Sequence, residues 1–177
     1  MDEKKDAVTY SENGTVFSST AAARMREIYM PLCSPESSGI KSAITPFLSG
    51  DIKIDKSRYV TKPVSRQDLR FPLRNVFIRT KDGDVFAMTD REHERPAEVQ
   101  AGQLWHRVVN RSGRIGMTIE ALNSVPVSGE TVELMKVSVT NESANARVCR
   151  VFACIPIFGR PLVNKHDHEH VTSLLHR

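Results

Sequence analysis

The sequence predicts an all-β protein, built as an antiparallel sandwich or barrel, and three observations support this prediction. Runs in which apolar and polar residues alternate recur along the chain; one of them, Glu133 to Thr140, reads ELMKVSVT. Alternation with a period of two places one set of side chains on each face of a strand. Clusters of Gly, Asn, Asp and Pro separate roughly nine or ten such runs. No segment with helical periodicity of useful length interrupts them.

Length and composition indicate one globular domain. The chain has 177 residues, and a domain usually takes ~100–200 residues, so residues 1–177 are predicted to form a single domain. Hydrophobic residues at 40% and charged residues at 26% are typical globular values, which excludes disorder of the whole chain. The net charge of +4 is spread along the sequence and interleaved with acidic residues. We therefore expect no nucleic acid partner.

The sequence also bears on location. The segment MDEKKDAVTY lacks the apolar stretch of a secretory signal, and no apolar run reaches the ~20 residues that cross a bilayer. Three cysteines, Cys33, Cys149 and Cys154, form no CxxC motif, and the last two point to opposite faces of one predicted strand. We expect buried free thiols in a reducing compartment, a cytoplasmic location and no membrane partner.

The N-terminal part is predicted to begin with a hairpin. Two β-prone runs, Ala7 to Tyr10 and Thr15 to Ser18, flank Asn13-Gly14. Both turn residues tolerate positive φ, so this pair favours a tight turn. A further strand is predicted over Arg24 to Leu32, with one helical turn at Ala21 to Arg26 as the alternative for its start.

The segment Cys33 to Leu73 is predicted to be a long irregular loop region, because Pro and Gly punctuate it and little of it is periodic. Within it we expect a short strand at Asp51 to Tyr59, one capped helical turn at Ser65 to Leu69, and contacts of Ile44 and Phe47 with the core. Loops this long often carry a function. A lid, a subunit-contacting arm, an extended sheet edge and plain surface packing all stay open.

The second half of the chain is predicted to form hairpins. Asn75 to Thr80 and Val85 to Thr89 flank the turn signal Asp82-Gly83, and Leu104 to Asn110 and Arg114 to Val125 bracket a second turn.

The last predicted hairpin is the longest. The run Glu133 to Thr140 is followed by the polar segment Asn141 to Asn145 and then by a second alternating run, Cys149 to Ile157. We expect these two strands to pair, with one face in the core and the far end covered on both faces.

Histidines are concentrated near the end of the sequence. His166, His168 and His170 form a His-x-His-x-His pattern, which on a strand points three imidazoles to one face ~6.6–6.8 Å apart. They can share a Zn²⁺ only if the backbone bends or another ligand joins them. A wall of hydrogen-bonded histidines is the favoured interpretation, and contact with a sugar or phosphate is a third.

Other candidate residues give no complete active site. Trp105 lies beside His106 in a predicted strand and is expected in the core, with a sugar platform as the alternative. Arg160 follows the last strand, where its guanidinium could pair with a phosphate or with Asp167. The sequence has no GxSxG motif and no phosphate-cradling glycine loop.

Several segments resemble a known family of enzymes. They are YMPLCSP (Tyr29–Pro35), ITPFLSGDIKID (Ile44–Asp55), PVSRQDL (Pro63–Leu69), LWHRVV (Leu104–Val109), VELMKVSVTN (Val132–Asn141) and IPIFGRPLVNKHDHEHVTSLLHR (Ile155–Arg177). Together they resemble the N-terminal sandwich region of the cellobiose phosphorylase-like enzymes, glycoside hydrolase family 94. This resemblance covers most of the chain.

The resemblance implies an antiparallel β-sandwich of galactose-mutarotase-like form, a supersandwich. In that family a helical linker and an (α/α)₆ barrel follow the sandwich. The barrel holds the general-acid Asp and most of the phosphate site, and the enzymes split β-glucosides with inorganic phosphate as co-substrate. The present sequence has no room for such a barrel, so the resemblance implies no catalytic residue in this chain and no cofactor.

The resemblance further implies a non-catalytic role in carbohydrate metabolism. We expect the chain to serve oligomerisation and support of the catalytic helical domain, with homo-oligomers and carbohydrate or that helical domain as partners. Candidate sugar contacts are Arg160, Asp167 and His168, followed by Trp105 and His106. If strands of a larger sandwich are missing, an open edge and an exposed apolar face are expected.

Two alternatives stay open. One is a free-standing carbohydrate-binding or assembly module. The other is a small metal-binding protein that uses His166, His168 and His170.

Overall fold

The short alternating runs form strands in the computed structural model, which describes residues 8–25, 28–33, 40–54, 58–64, 74–89, 98–128 and 130–158. These ranges contain twelve strands, one short 3₁₀ helix and no α-helix. They therefore contain no helix that is long and apolar enough to cross a membrane. The strands are β1 (Val8–Tyr10), β2 (Phe17–Ser19), β3 (Met30–Cys33), β4 (Lys41–Ile44), β5 (Ile52–Lys53), β6 (Asn75–Thr80), β7 (Val85–Ala87), β8 (Glu98–Gly102), β9 (Trp105–Ser112), β10 (Met117–Ser124), β11 (Leu134–Asn141) and β12 (Cys149–Cys154). The all-β prediction is confirmed.

The strands form three antiparallel sheets. A six-stranded sheet has the order β1-β2-β8-β9-β10-β11, and two three-stranded sheets have the orders β12-β6-β7 and β3-β4-β5. Within the described residues no sheet closes into a barrel, and the architecture is sandwich-like.

The two hairpins predicted from Asn-Gly and Asp-Gly are confirmed. Strands β1 and β2 pair around Gly14, with φ +70°, and β6 and β7 pair around Gly83, with φ +92°. An added Cβ would meet nothing within 4 Å at either glycine, so positive φ is the constraint that selects glycine there.

One continuous hydrophobic cluster joins the sheets. Alternate residues of β6, β10 and β11 point into it, as the period-two pattern predicts. Asn110 of β9 donates hydrogen bonds to the carbonyl oxygens of Ala87 and Met88, at 3.2 and 3.0 Å, and so ties the six-stranded sheet to the end of β7. The cluster includes Ile44, Val76, Ile78, Val99, Val108, Ile119 and Ala121.

The predicted pairing of β11 with β12 is wrong, although both strands exist. β11 pairs with β10 and β12 pairs with β6, so the chain crosses from one sheet to another between them. Backbone hydrogen bonds hold this crossing at both ends: Glu142 N donates to Gly116 O at 2.8 Å, and Lys81 N donates to Val148 O at 3.0 Å. Alternation defined the faces of the two strands, but it carries no information about which neighbour each one selects.

The N-terminal half has more structure than the sequence predicted. The 3₁₀ helix Ala22–Met25 agrees with the alternative of a helical turn at Ala21 to Arg26, and β3 occupies the end of the strand predicted over Arg24 to Leu32. Strand β4 lies in the segment predicted to be irregular, where Ile44 is buried and Phe47 is half-buried. The predicted strand at Asp51 to Tyr59 is reduced to β5 and a bridge between Lys53 and Tyr59. The predicted turn at Ser65 to Leu69 lies outside the described residues.

The three cysteines are free, as predicted, but they are not buried. Cys33 and Cys154 are exposed and Cys149 is partly exposed. Cys149 and Cys154 both lie on β12, whose side chains are mostly exposed.

Candidate functional site

Polar side chains from three sheets meet at one end of the hydrophobic core. This buried polar cluster consists of Ser42, Arg74, His106, Asn123 and Glu133. Arg74 has no exposed surface, although it carries a full positive charge, and the side chain of Glu133 is 5% exposed. A guanidinium in such a position must be neutralised and hydrogen-bonded, because an unpaired buried charge is strongly unfavourable.

Arg74 finds these partners on every side. Its Nη2 donates to Ser42 Oγ at 2.9 Å and to a Glu133 carboxylate oxygen at 3.0 Å, and its Nε lies 2.8 Å from the other oxygen. The Nε contact is an ion pair whose geometry falls short of a hydrogen bond. Its Nη1 donates to the carbonyl of Gly50 at 3.2 Å.

Ser42 and Asn123 complete the surroundings of the Glu133 carboxylate. The hydroxyl of Ser42 donates a short hydrogen bond to it, and Asn123 Nδ2 donates another at 3.1 Å. The carboxylate thus joins β4, the residue before β6, and the six-stranded sheet. The buried polar cluster therefore connects the sheets through an ion pair and hydrogen bonds.

His106, the remaining member of the buried polar cluster, has no exposed surface. Burial, aided by the positive charge of Arg74, lowers the pKa of His106 to about 3. Both ring nitrogens of His106 lack a hydrogen-bond partner. Asn123 is the residue of β10 paired with His106 of β9, and its side-chain oxygen also lacks a partner. The imidazole is therefore neutral at physiological pH.

The cluster contains a serine, a histidine and an acid, but it is not arranged for nucleophilic catalysis. Such a mechanism needs the serine hydroxyl hydrogen-bonded to the imidazole that accepts its proton. Here the hydroxyl of Ser42 is directed to Glu133, and the ring of His106 bonds to neither. The arrangement is suited to holding sheets together.

A second feature is an open cleft of about 480 Å³ between the β1–β2 hairpin, β3 and the turn from β8 to β9. We call it the aromatic cleft, because Tyr10, Phe17 and Tyr29 line it. Tyr10 is 67% exposed and contacts Phe17 edge to face, with ring centroids 5.8 Å apart. Exposed aromatic rings with nearby polar groups are typical of small-molecule sites. The polar groups here come from Thr15, Cys33 and Gln103.

Trp105 supports the floor of this cleft. A Cβ added at Gly102 would lie 2.3 Å from the indole nitrogen, so the ring packs directly on the glycine backbone. Gly102 itself lines the cleft. Trp105 is half-buried, which places it between the two predicted roles of core residue and sugar platform.

A third feature is the exposed apolar ribbon formed by β12 and the residues that follow it. Its side chains Val151, Phe152, Ile155 and Ile157 are between 47% and 82% exposed. Val151 pairs with Ile78 and Ala153 with Val76, and both β6 partners are completely buried. Val151 and Ala153 therefore lie on the core-facing side of the sheet and Phe152 lies on the other side, and Val151 and Phe152 are both exposed. Within the described residues β12 is thus an edge strand with exposed apolar side chains, a kind of surface that often marks a contact site.

The other predicted contact residues, Arg160, Asp167 and His168, lie outside the described residues, as do His166 and His170 of the metal hypothesis. The described ranges hold no group of three His, Cys, Asp or Glu side chains that could bind a metal ion. His106 offers no surface to a ligand in this structure. Its role in sugar contact, like that of the others, stays a prediction.

Sequence reasoning missed Arg74 and Glu133, which sit at the starts of alternating runs and look like ordinary surface charges. It also missed the aromatic cleft, since Tyr10 and Tyr29 are separated in sequence and come together only where two different sheets meet. No protein-family model matches the chain, and a search of curated proteins finds no match.

Proposed function

We propose that this chain is the non-catalytic sandwich domain of a carbohydrate-active enzyme similar to the cellobiose phosphorylases, and that its principal work is assembly. The observation that carries the proposal is the apolar ribbon, whose side chains are exposed and whose strand β12 is an edge strand among the described residues. The kinship rests on the sequence resemblance described above.

The size of the ribbon supports an interface. Scattered exposed apolar residues are normal on protein surfaces, but a contiguous row of them typically marks a contact site. Four of the seven residues from Val151 to Ile157 are exposed Val, Phe or Ile. The free edge of β12 also presents backbone groups that another strand can pair with.

The proposed occupant is a second copy of this chain, paired through β12 across a twofold axis. An antiparallel pairing centred on Phe152 sets each Arg150 opposite a Cys154, so the two guanidinium groups lie at opposite ends of the ribbon. Charge repulsion then does not oppose the contact, and the apolar residues meet at its centre. A symmetric interface of this kind is self-complementary by construction.

Sedimentation velocity over a range of concentrations tests the proposal. The chain should dimerise, and Phe152→Glu should shift it to monomer. Val85→Glu is the matched control, because Val85 is 57% exposed on β7 at the other edge of the same sheet. A monomer at every concentration, or a dimer that Phe152→Glu leaves intact, contradicts dimerisation through β12.

Activity assays test the other half of the proposal. The chain alone should release no glucose 1-phosphate from cellobiose and phosphate. Turnover by the isolated chain overturns the non-catalytic assignment.

A second candidate role, sugar binding, is favoured by the aromatic cleft. Tyr10 and Tyr29 offer exposed rings, 67% and 40%, to an apolar sugar face. Calorimetry with a panel of glucans should detect binding that Tyr10→Ala weakens and Val127→Ala, at an exposed site outside the cleft, leaves unchanged. Silence across the whole panel contradicts this role.

A further inference from the structure

A cluster of three cations lies where β6, the turn to β7 and the start of β12 meet. Arg79, Lys81 and Arg150 line a cleft of about 320 Å³ together with Thr80, Val148 and Cys149. We call it the basic cleft. It is separate from the aromatic cleft and from the buried polar cluster, since none of its lining residues belongs to either.

The strand register places two of these cations directly opposite each other. Arg79 of β6 pairs with Arg150 of β12, so both side chains leave the same face of the sheet. Directly opposed like charges in an antiparallel pair destabilise it. Arg79 and Arg150 are both exposed, so many uncharged residues would fit at either position without this repulsion.

No acidic side chain within the described ranges relieves the repulsion. The nearby Asp84 is already paired with Arg114, and none of the three cations makes an ion pair there. The described lining of the cleft contains no carboxylate. Among the described residues, these three positive charges therefore have no acidic partner.

The framework that carries the cations is fixed by backbone hydrogen bonds. Lys81 N donates to Val148 O at 3.0 Å, which ties the turn to the chain entering β12. Thr80 N donates to Asp84 O at 2.9 Å, and the Thr80 hydroxyl accepts a hydrogen bond from Asp84 N at 3.1 Å. The cations thus project from strands and a closed turn.

We propose that the basic cleft binds a phosphate group, either as the free ion or as a phosphate monoester. Guanidinium groups present parallel N–H donors that match the oxygens of a phosphate, and an ammonium adds a third positive charge. The cleft is concave and of a size that suits a small molecule. The phosphate would bridge Arg79 and Arg150, and its attraction for both guanidinium groups would offset the repulsion between them. This site goes beyond the assembly role and does not depend on it.

The test compares the melting temperature and the calorimetric affinity of the chain in inorganic phosphate, glucose 1-phosphate and chloride at equal ionic strength. Both phosphates should raise the melting temperature saturably, and chloride should not. Tighter binding of the sugar phosphate identifies a monoester ligand, and equal binding identifies the free ion. Either result supports the proposal.

Arg150→Gln separates ligand binding from simple stability. Without ligand it should raise the melting temperature by about 1–3 °C, because the repulsion is relieved. It should also weaken phosphate binding about tenfold or more. Lys136→Gln is the control: it removes one positive charge from the exposed side of β11 and should leave phosphate binding unchanged.

Two results overturn the proposal. One is an equal shift in chloride and phosphate, which indicates general screening of a basic surface. The other is an Arg150→Gln variant that keeps its affinity for phosphate.

Discussion

Strands β6 and β12 are neighbours in one sheet, and their surroundings differ sharply. Their residues pair one to one, so Ile78 lies opposite Val151 and Val76 opposite Ala153. Yet Ile78 and Val76 are completely buried, whereas nearly every residue of β12 is exposed. The two strands have similar alternating sequences. Burial is therefore decided by the layer that covers a strand, and β12, which has the composition of a covered strand, has no such layer among the described residues.

The largest expected effect concerns the covered side. Glu133→Ala leaves the guanidinium of Arg74 buried without its counter-ion, and we expect a loss of about 3–5 kcal/mol in the free energy of unfolding. Urea denaturation followed by circular dichroism measures it. Glu98→Gln, which breaks the exposed pair with Arg111, is the control and should cost at most about 1 kcal/mol. Similar losses for the two variants would mean that the buried polar cluster stabilises the fold no more than an exposed ion pair does.

The next effect tests the comparison of the two strands directly. Ile78→Ala removes a buried side chain and should cost about 3 kcal/mol, within the usual range for such truncations. Val151→Ala, at the position opposite, should cost less than about 1 kcal/mol in dilute monomer. At concentrations where the chain dimerises, the cost at Val151 should rise. A large cost at Val151 in the monomer would show that β12 is already covered.

The smallest effect concerns pH. The pKa of His106 is about 3 in the folded chain and near 6.5 when unfolded, so between these values the unfolded chain binds more protons. Stability should therefore fall as the pH drops through this window, by about 2 kcal/mol between pH 7 and pH 5 from this residue. His106→Asn should flatten that part of the stability profile. A variant with an unchanged slope would contradict the assignment of a buried neutral imidazole.

Local signals in the sequence predicted much of the fold. Asn13-Gly14 and Asp82-Gly83 fixed two hairpins, because positive φ at the glycine is a property of the residue itself. The period of two identified the inward faces of β10 and β11, whereas in β9 the buried face carries His106 and not the expected Trp105. The partners of β11 and β12 could not be predicted in this way, because pairing depends on which edges the rest of the chain leaves open.

The candidate sites were less predictable than the fold. Arg74 precedes an alternating run and resembles a surface charge in sequence, while its burial depends on Glu133, 59 positions away. The opposition of Arg79 and Arg150 likewise exists only once β12 has joined β6. The burial and the neighbours of these charged residues depend on contacts distant in sequence, so local sequence patterns cannot predict them.

The crossing between β11 and β12 also bears on how the chain folds. Strands β8 to β11 form a meander of neighbours in sequence, so their loops close at low entropic cost. β12 must instead find β6 roughly 70 residues back, and β2 must find β8 over a similar distance. We expect the meander to form early and these two distant pairings to set the overall rate, in the slow, millisecond-to-second regime of non-local β topologies. Until β12 docks, the edge of β6 that β12 later occupies stays open to other chains, so this edge is exposed to aggregation during synthesis.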